Sequence, residues 1–178
     1  MDTVQVNDKR FRRYLSEAEI QDIVRRVAAD ISRDYKGKDV VICPVLTGAC
    51  MFATDLARAL DFDPEISFVR YSSYSGMAST GKVKCSLPFS EICRHRHVII
   101  VEDIVDSGIS MDFMLNELHS LEPASVSVCA FFYKPGNFQA HFKIDYVGLE
   151  IPNDFIVGYG LDYNDHGRTY KDVYIIDE

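Results

Sequence analysis

Two carboxylates stand side by side at Glu102 and Asp103, a third follows at Asp106, and Ser107, Gly108 and Ser110 come directly after it. These residue types divide into two kinds of chemistry. The turn Ser107-Gly108-Ile109-Ser110 can aim backbone N–H groups at one phosphate. Its two hydroxyls are further donors, and the start of a helix adds its dipole. Gly108 permits a backbone conformation and a close approach that a side chain would block. The carboxylates cannot hold phosphate; they suit the hydroxyl groups of a sugar, or water and Mg2+. The combination therefore describes a sugar phosphate, with its phosphate in a nest of N–H groups and its hydroxyls facing acids. An acidic pair before a helix N-cap is common in α/β proteins, whereas the whole run from Val98 to Ser110 (VIIVEDIVDSGIS) is a far more specific pattern.

The surrounding elements must deliver these groups. Val98 to Glu102 is an apolar strand that carries the acids to its end, and Ser110 to Leu121 is a helix with Met111, Met114, Leu115 and Leu118 on one face. Upstream, Ser16 and Glu19 form a capping box. Ile20, Ile23, Val24, Val27, Ile31 and Tyr35 then follow at helical spacing until Gly37. Asp39 to Val45 is a continuously apolar strand, the pattern of a parallel sheet covered on both faces. Leu46-Thr47-Gly48-Ala49 is a glycine turn into a second helix reaching Leu60. Ile66 to Tyr71 reads as a strand, the polar segment Ser72 to Lys82 as a mobile loop, and Val83 to Ser86 as the returning strand. Ala124 to Tyr133, Tyr146 to Leu149 and Phe155 to Val157 complete the strands. The alternation predicts an α/β fold with a mainly parallel central sheet flanked by helices. Its ligand belongs beyond the carboxyl ends of the strands, at the turns after Val45 and Glu102.

At 178 residues the chain is sized for one domain. Nineteen basic against twenty-seven acidic residues give a net charge of −8, which argues against nucleic acid and anionic membranes as partners. The five cysteines are odd in number and contain no C-x-x-C pair, so neither a disulfide framework nor a zinc site is expected. Met1 to Arg13 is polar, and no apolar run approaches the ~20 residues of a membrane span. A reducing cytoplasm fits these features. No G-x-G-x-x-G follows a strand, which disfavours a nicotinamide dehydrogenase.

The run V-E-D-I-V-D-S-G-I-S resembles the phosphoribosyl-diphosphate (PRPP) motif of type I phosphoribosyltransferases, and more of the chain matches the hypoxanthine-guanine branch of that family. Leu46-Thr47-Gly48-Ala49 resembles its pyrophosphate loop, and Ser73-Tyr74 the Ser-Tyr pair of its mobile active-site loop. Lys134 stands where the branch has its purine-reading lysine. Phe155 to Asn164 (FIVGYGLDYN) resembles its hood signature, with Arg168 just beyond. The match runs in order from about Asp39 to the end. Ser107 and Ser110 replace threonines found in many members, and Ile109 replaces a lysine found in some eukaryotic ones. Pro88 to His97 has no diagnostic counterpart.

The resemblance implies the type I phosphoribosyltransferase fold as a single domain over residues 1–178, with a small hood formed by the N-terminal segment and roughly residues 150–178. It implies PRPP and a 6-oxopurine base as substrates, Mg2+ as cofactor, and a homo-oligomer, dimer or tetramer. Leu46, Thr47, Gly48 and Arg168 would meet the pyrophosphate, and the turn Asp106–Ser110, including Ile109, the 5′-phosphate. Glu102 and Asp103 would hold the ribose hydroxyls, partly through waters of the metal, with Asp162 as a further metal ligand. Asp106 would be the general base toward purine N7. Lys134 would donate to the 6-oxo group; Phe155 would stack on the purine, with Ile156 and Asp162 also bordering it. Taken alone, a lysine at a strand end is ordinarily solvated. Two alternatives stay open: a xanthine-preferring transferase, and a regulatory protein that senses PRPP without reacting. Retention of Asp106, Tyr74 and Lys134 together favours an enzyme.

Overall fold

A computed structural model describes residues 2–73 and 83–177 of the chain. The elements run β1 (Thr3–Val6), β2 (Lys9–Leu15), α1 (Glu17–Asp34), β3 (Val40–Pro44), α2 (Cys50–Ala59), β4 (Glu65–Ile66), β5 (Arg70–Ser73), β6 (Val83–Leu87), β7 (His97–Val105), α3 (Ile109–His119), β8 (Ser125–Tyr133), β9 (Tyr146–Glu150), β10 (Ile156–Val157) and β11 (Val173–Ile176). The central sheet has the order β4-β3-β7-β8-β9, and every neighbouring pair in it is parallel. All five residues of β3 are buried, as its unbroken apolar sequence requires. Ile42, Ile99, Val101 and Phe131 pack with α1 and α2 on one face; Val41, Cys43, Val98 and Ile100 pack with Met111, Met114 and Leu118 of α3 on the other. Each large side chain so enclosed stabilises the fold by roughly 1.5–3 kcal/mol.

The expected capping box is formed. The Ser16 N–H donates to Glu19 Oε2 at 2.9 Å, and the Glu19 N–H donates to Ser16 Oγ at 3.4 Å. Ile20, Val24, Val27 and Ile31 then face the sheet.

Three expectations change. The strand at Ile66–Tyr71 is two pieces: β4 pairs with β3, whereas β5 pairs antiparallel with β6 in a separate ribbon. Val69, between them, still bridges Val45, so the chain leaves the central sheet only after it. Ser72 and Ser73 thus belong to a strand, and the remainder of the expected mobile loop, including Tyr74, lies outside the described residues. Second, β7 continues three residues past Glu102, with Ile104 and Val105 still paired to Phe132 and Tyr133 of β8. Third, a second sheet, of order β1-β2-β11-β10, joins the two ends of the chain. Of its strands only β10 was read from the sequence pattern, although the resemblance already grouped the N-terminal segment with residues 150–178 as a hood. Phe11, Val157 and Tyr174 are buried in its own small core.

Candidate active site

Because side chains alternate along a pleated strand, consecutive residues of β7 point to opposite faces. Glu102 follows Val98 and Ile100 toward α3, and Asp103 follows Ile99 and Val101 toward the other face. The two acids therefore serve different compartments at one strand end.

The Glu102 compartment is a cavity of about 430 Å³, lined by Glu102, Ile104, Val105, Asp106, Ser107, Gly108, Ser110, Met111, Met114, Asn137 and Gln139. The turn and the start of α3 form one wall. Gly108 is the N-cap of α3, with φ of 80°, and as a glycine it offers no side chain to cap the helix. A Cβ on Gly108 would come within 2.7 Å of Phe138 and Ala140. The close approach at this glycine is thus to the segment after β8, which braces the turn from behind; the Gln139 N–H also donates to the Ser107 carbonyl at 3.0 Å. Asn137 and Gln139 were missed in the sequence, where nothing but their position after Lys134 could have marked them. Ser107 and Ser110 both line the cavity. Ile109 is outside it and exposed, and its N–H donates to Ser107 Oγ at 3.4 Å.

Asp106 and Lys134 are the next residues after the paired ends Val105 and Tyr133 of β7 and β8. That register brings Lys134 Nζ within 3.9 Å of Asp106 Oδ2. The Lys134 N–H donates to the Val105 carbonyl at 3.0 Å. Lys134 is only 7% exposed, so it is not the solvated lysine that a strand end ordinarily carries. Two oxygens of this cluster, Glu102 Oε2 and Asp106 Oδ1, are buried with no hydrogen-bond partner. Burial, and then the neighbouring Asp103, hold the Glu102 carboxyl well above the usual carboxylate range.

The Asp103 compartment is built on Gly48. A Cβ there would fall on the Asp103 carboxylate, and a Cβ on Gly160 would fall on the Gly48 carbonyl. Gly160 has φ of 100°, which together with this contact leaves no room for a side chain. The Leu46–Thr47 peptide is cis, and the Leu46 N–H donates to the Val69 carbonyl at 2.8 Å. Arg168 donates to the Gly160 carbonyl at 2.8 Å and pairs with Asp162 Oδ1 at 2.7 Å; Asp162 Oδ2 accepts from the Asp165 N–H at 2.7 Å. Burial pushes Asp103 up to about 6, partly offset by the Ile104 N–H it accepts and by the Arg168 charge. Helix α2, which opens directly after Leu46–Ala49, has neither a side-chain cap nor an acid in its first turn, unlike the fully capped α1. The Ala49 and Cys50 N–H groups bond the Val45 and Thr47 carbonyls, and with no acid in the first turn the dipole of this helix start still favours an anion at the loop.

Phe155 is 44% exposed beside Phe11 and Tyr163. Its carbonyl accepts from the Ile176 N–H, so the N–H of Ile156 points away from β11, to the open edge of the second sheet. Ser73 lies at the end of β5, paired with Val83.

The described residues contain no group of three or more His, Cys, Asp or Glu side chains arranged to hold a metal by themselves. Mg2+ is usually held by one or two carboxylates together with substrate phosphates, and the unpartnered Glu102 oxygen beside Asp103 fits that mode. Asp162 fits it less directly, since both its oxygens already have partners. No described helix is long and apolar enough to cross a membrane.

The model of the phosphoribosyl transferase domain matches residues 13–164. A hypoxanthine-guanine phosphoribosyltransferase of Mycobacterium avium is 38% identical over 170 residues, covering 92% of this chain and 84% of the relative. A hypoxanthine-guanine-xanthine phosphoribosyltransferase of Tritrichomonas foetus is also 38% identical, over 92% of this chain and 90% of its own. Among solved structures, a hypoxanthine phosphoribosyltransferase of Staphylococcus aureus superposes with a TM-score of 0.88 at 32% identity, covering 99% of this chain and 98% of that one.

Proposed function

The chain belongs to the phosphoribosyltransferase family, and from that premise we infer that it transfers the phosphoribosyl group of PRPP to hypoxanthine or guanine, forming IMP or GMP and pyrophosphate. The observation that carries this reading is the buried Lys134 within 3.9 Å of Asp106, which itself lines a cavity walled by the start of α3. Only a substrate that offers a phosphate, sugar hydroxyls and an oxo-bearing heterocycle uses all of these groups.

In this reading the C1–O bond to pyrophosphate breaks, the leaving group keeps the electron pair, and a purine nitrogen bonds to C1. Asp106 accepts the proton that the purine loses; its unpartnered Oδ1 is available for that bond. Lys134 donates to the 6-oxo oxygen. Ser107, Ser110 and the first N–H groups of α3 hold the 5′-phosphate, with Asn137 and Gln139 as further donors. Leu46, Thr47, Gly48 and Arg168 take the pyrophosphate, for which Arg168 must exchange its bond to Asp162. Phe155 and the edge of Ile156 border the purine, with Asp162, and Tyr74 with Ser73 would shield the reacting carbon. Glu102 and Asp103 are the acids suited to Mg2+ and the ribose hydroxyls, and Asp162 would act through water. When bound, Mg2+ would neutralise charge on the departing diphosphate.

We treat residues 1–178 as one domain whose hood is the β1-β2-β11-β10 sheet, and the cytoplasm as its place, supported by five free cysteines. The exposed Ile66, Phe68 and Leu87 support a homo-oligomer. The test is nucleotide formation from hypoxanthine, guanine, xanthine and adenine with PRPP and Mg2+. Hypoxanthine and guanine react, adenine does not, and EDTA stops turnover. PRPP binding without nucleotide formation from any base would leave a sensor instead.

A further inference from the structure

We propose that Asp55 and Tyr159 are positioning residues for the diphosphate loop Leu46–Ala49, acting on it from behind through Gly160; this rests on the reading of that loop given above. Tyr159 is buried between Gly158 and Gly160, with φ of 49°, a conformation uncommon for a non-glycine residue. It persists because its surroundings fix it from several sides. The Tyr159 N–H donates to the Tyr170 carbonyl at 2.9 Å, and its ring lies 5.2 Å from that of Phe131. Its hydroxyl donates to Asp55 Oδ2 at 2.9 Å, and Gln21 donates to the same oxygen at 2.6 Å.

Asp55 belongs to α2, the helix that opens at the loop, where the Ala49 N–H bonds the Val45 carbonyl and the Cys50 N–H bonds the Thr47 carbonyl. The next residue after Tyr159 is Gly160, pressed on Gly48 and holding Arg168 through its carbonyl. Loop, helix, Asp55, Tyr159 and Gly160 thus close a circuit back to Gly48. Only the Tyr159–Asp55 bond in that circuit can be removed without disturbing backbone. Neither residue lines the cavity or reaches the reacting atoms, so their effect must pass through the loop and Arg168.

The test uses Tyr159→Phe and Asp55→Asn in the full chain. Both keep shape; the first deletes the donor, and the second replaces the charged acceptor shared by Tyr159 and Gln21 with a weaker neutral one. The readouts are KM for PRPP, and calorimetric Kd for pyrophosphate with Mg2+ and for IMP, which lacks the diphosphate. Each variant raises the PRPP and pyrophosphate values about tenfold (~1.4 kcal/mol), with KM for hypoxanthine and Kd for IMP unchanged. The double variant loses less than the two single effects combined, because both act on the Tyr159–Asp55 bond. If Tyr159→Phe fails to fold, Asp55→Asn carries the same readouts. Equal losses for every ligand, or none for pyrophosphate, overturn the proposal. A wild type that binds pyrophosphate but makes no nucleotide overturns the proposed activity while the pyrophosphate comparison still decides this one. A wild type that binds no pyrophosphate overturns both.

Discussion

Asp103→Asn stabilises the unliganded protein and weakens the enzyme. Asp103 is buried against Gly48, and its carboxyl titrates near about 6 in place of its ordinary 3.8. A folded-state value above the unfolded one means that the native state binds the proton more tightly. This group's contribution to stability is therefore fully present below about pH 4 and is lost as pH rises through about 6. The gap corresponds to ~3 kcal/mol as an upper figure, at about 1.4 kcal/mol per pH unit. Asparagine keeps the acceptor for the Ile104 N–H, 2.8 Å away, and never ionises. Thermal and urea unfolding of both proteins without ligand, at pH 5 and pH 7.5, measures the difference. At pH 7.5 the variant is more stable by up to ~3 kcal/mol, about 6–12 °C in Tm for a chain of this size. At pH 5 roughly half of that advantage (~1.6 kcal/mol) remains, and it disappears only below about pH 4. Its KM for PRPP rises, since the lost carboxylate is one we assign to the substrate's hydroxyls and metal. A variant that is less stable at pH 7.5, or whose advantage over wild type is the same at both pH values, refutes burial of an ionisable Asp103.

Asp106→Asn lowers kcat by about 10²–10⁴-fold, the usual range for a general base, with little change in PRPP affinity by calorimetry. Adenine reacts at least ~10⁴-fold less efficiently than hypoxanthine in kcat/KM, because its amino group faces the donor-only ammonium of Lys134. Lys134→Ala narrows that ratio, read from the two bases at saturating PRPP. Gly108→Ala destabilises the protein by at least ~1–3 kcal/mol in urea unfolding, since a Cβ meets both φ of 80° and the side chains of Phe138 and Ala140.

What could be read in the sequence was local. The capping box at Ser16, the apolar run entering Glu102, and the turn at Ser107–Ser110 each carry their structure within a dozen residues, and all three form. The pairing of Asp106 with Lys134 depends on the register of β7 against β8, which no local pattern encodes. β2 was missed because only one of its faces is covered: Phe11 is buried, and Arg10 and Arg12 beside it are solvated, so the segment reads as a polar tail. Asn7, at φ of 52° between β1 and β2, was the available hairpin signal. Asp55 and Tyr159 were silent because each looks like an ordinary helix or turn residue until the two are brought together.

The second sheet has a consequence for the order of assembly. Phe11 of β2 pairs with Ile176 of β11, so this sheet closes a loop that contains the entire parallel core. Such a closure costs chain entropy before any contact repays it, and it becomes favourable only once the core has already drawn the two segments near each other. The sheet is therefore expected to form after the core and to open before it. Asp162 and Arg168 lie between β10 and β11, within the part that closes last. A chain with a finished core and an open hood would have its phosphate turn but would lack the arginine that we assign to the diphosphate. On that assignment, holding the whole substrate depends on completion of the fold, and a half-assembled molecule keeps the phosphate turn alone.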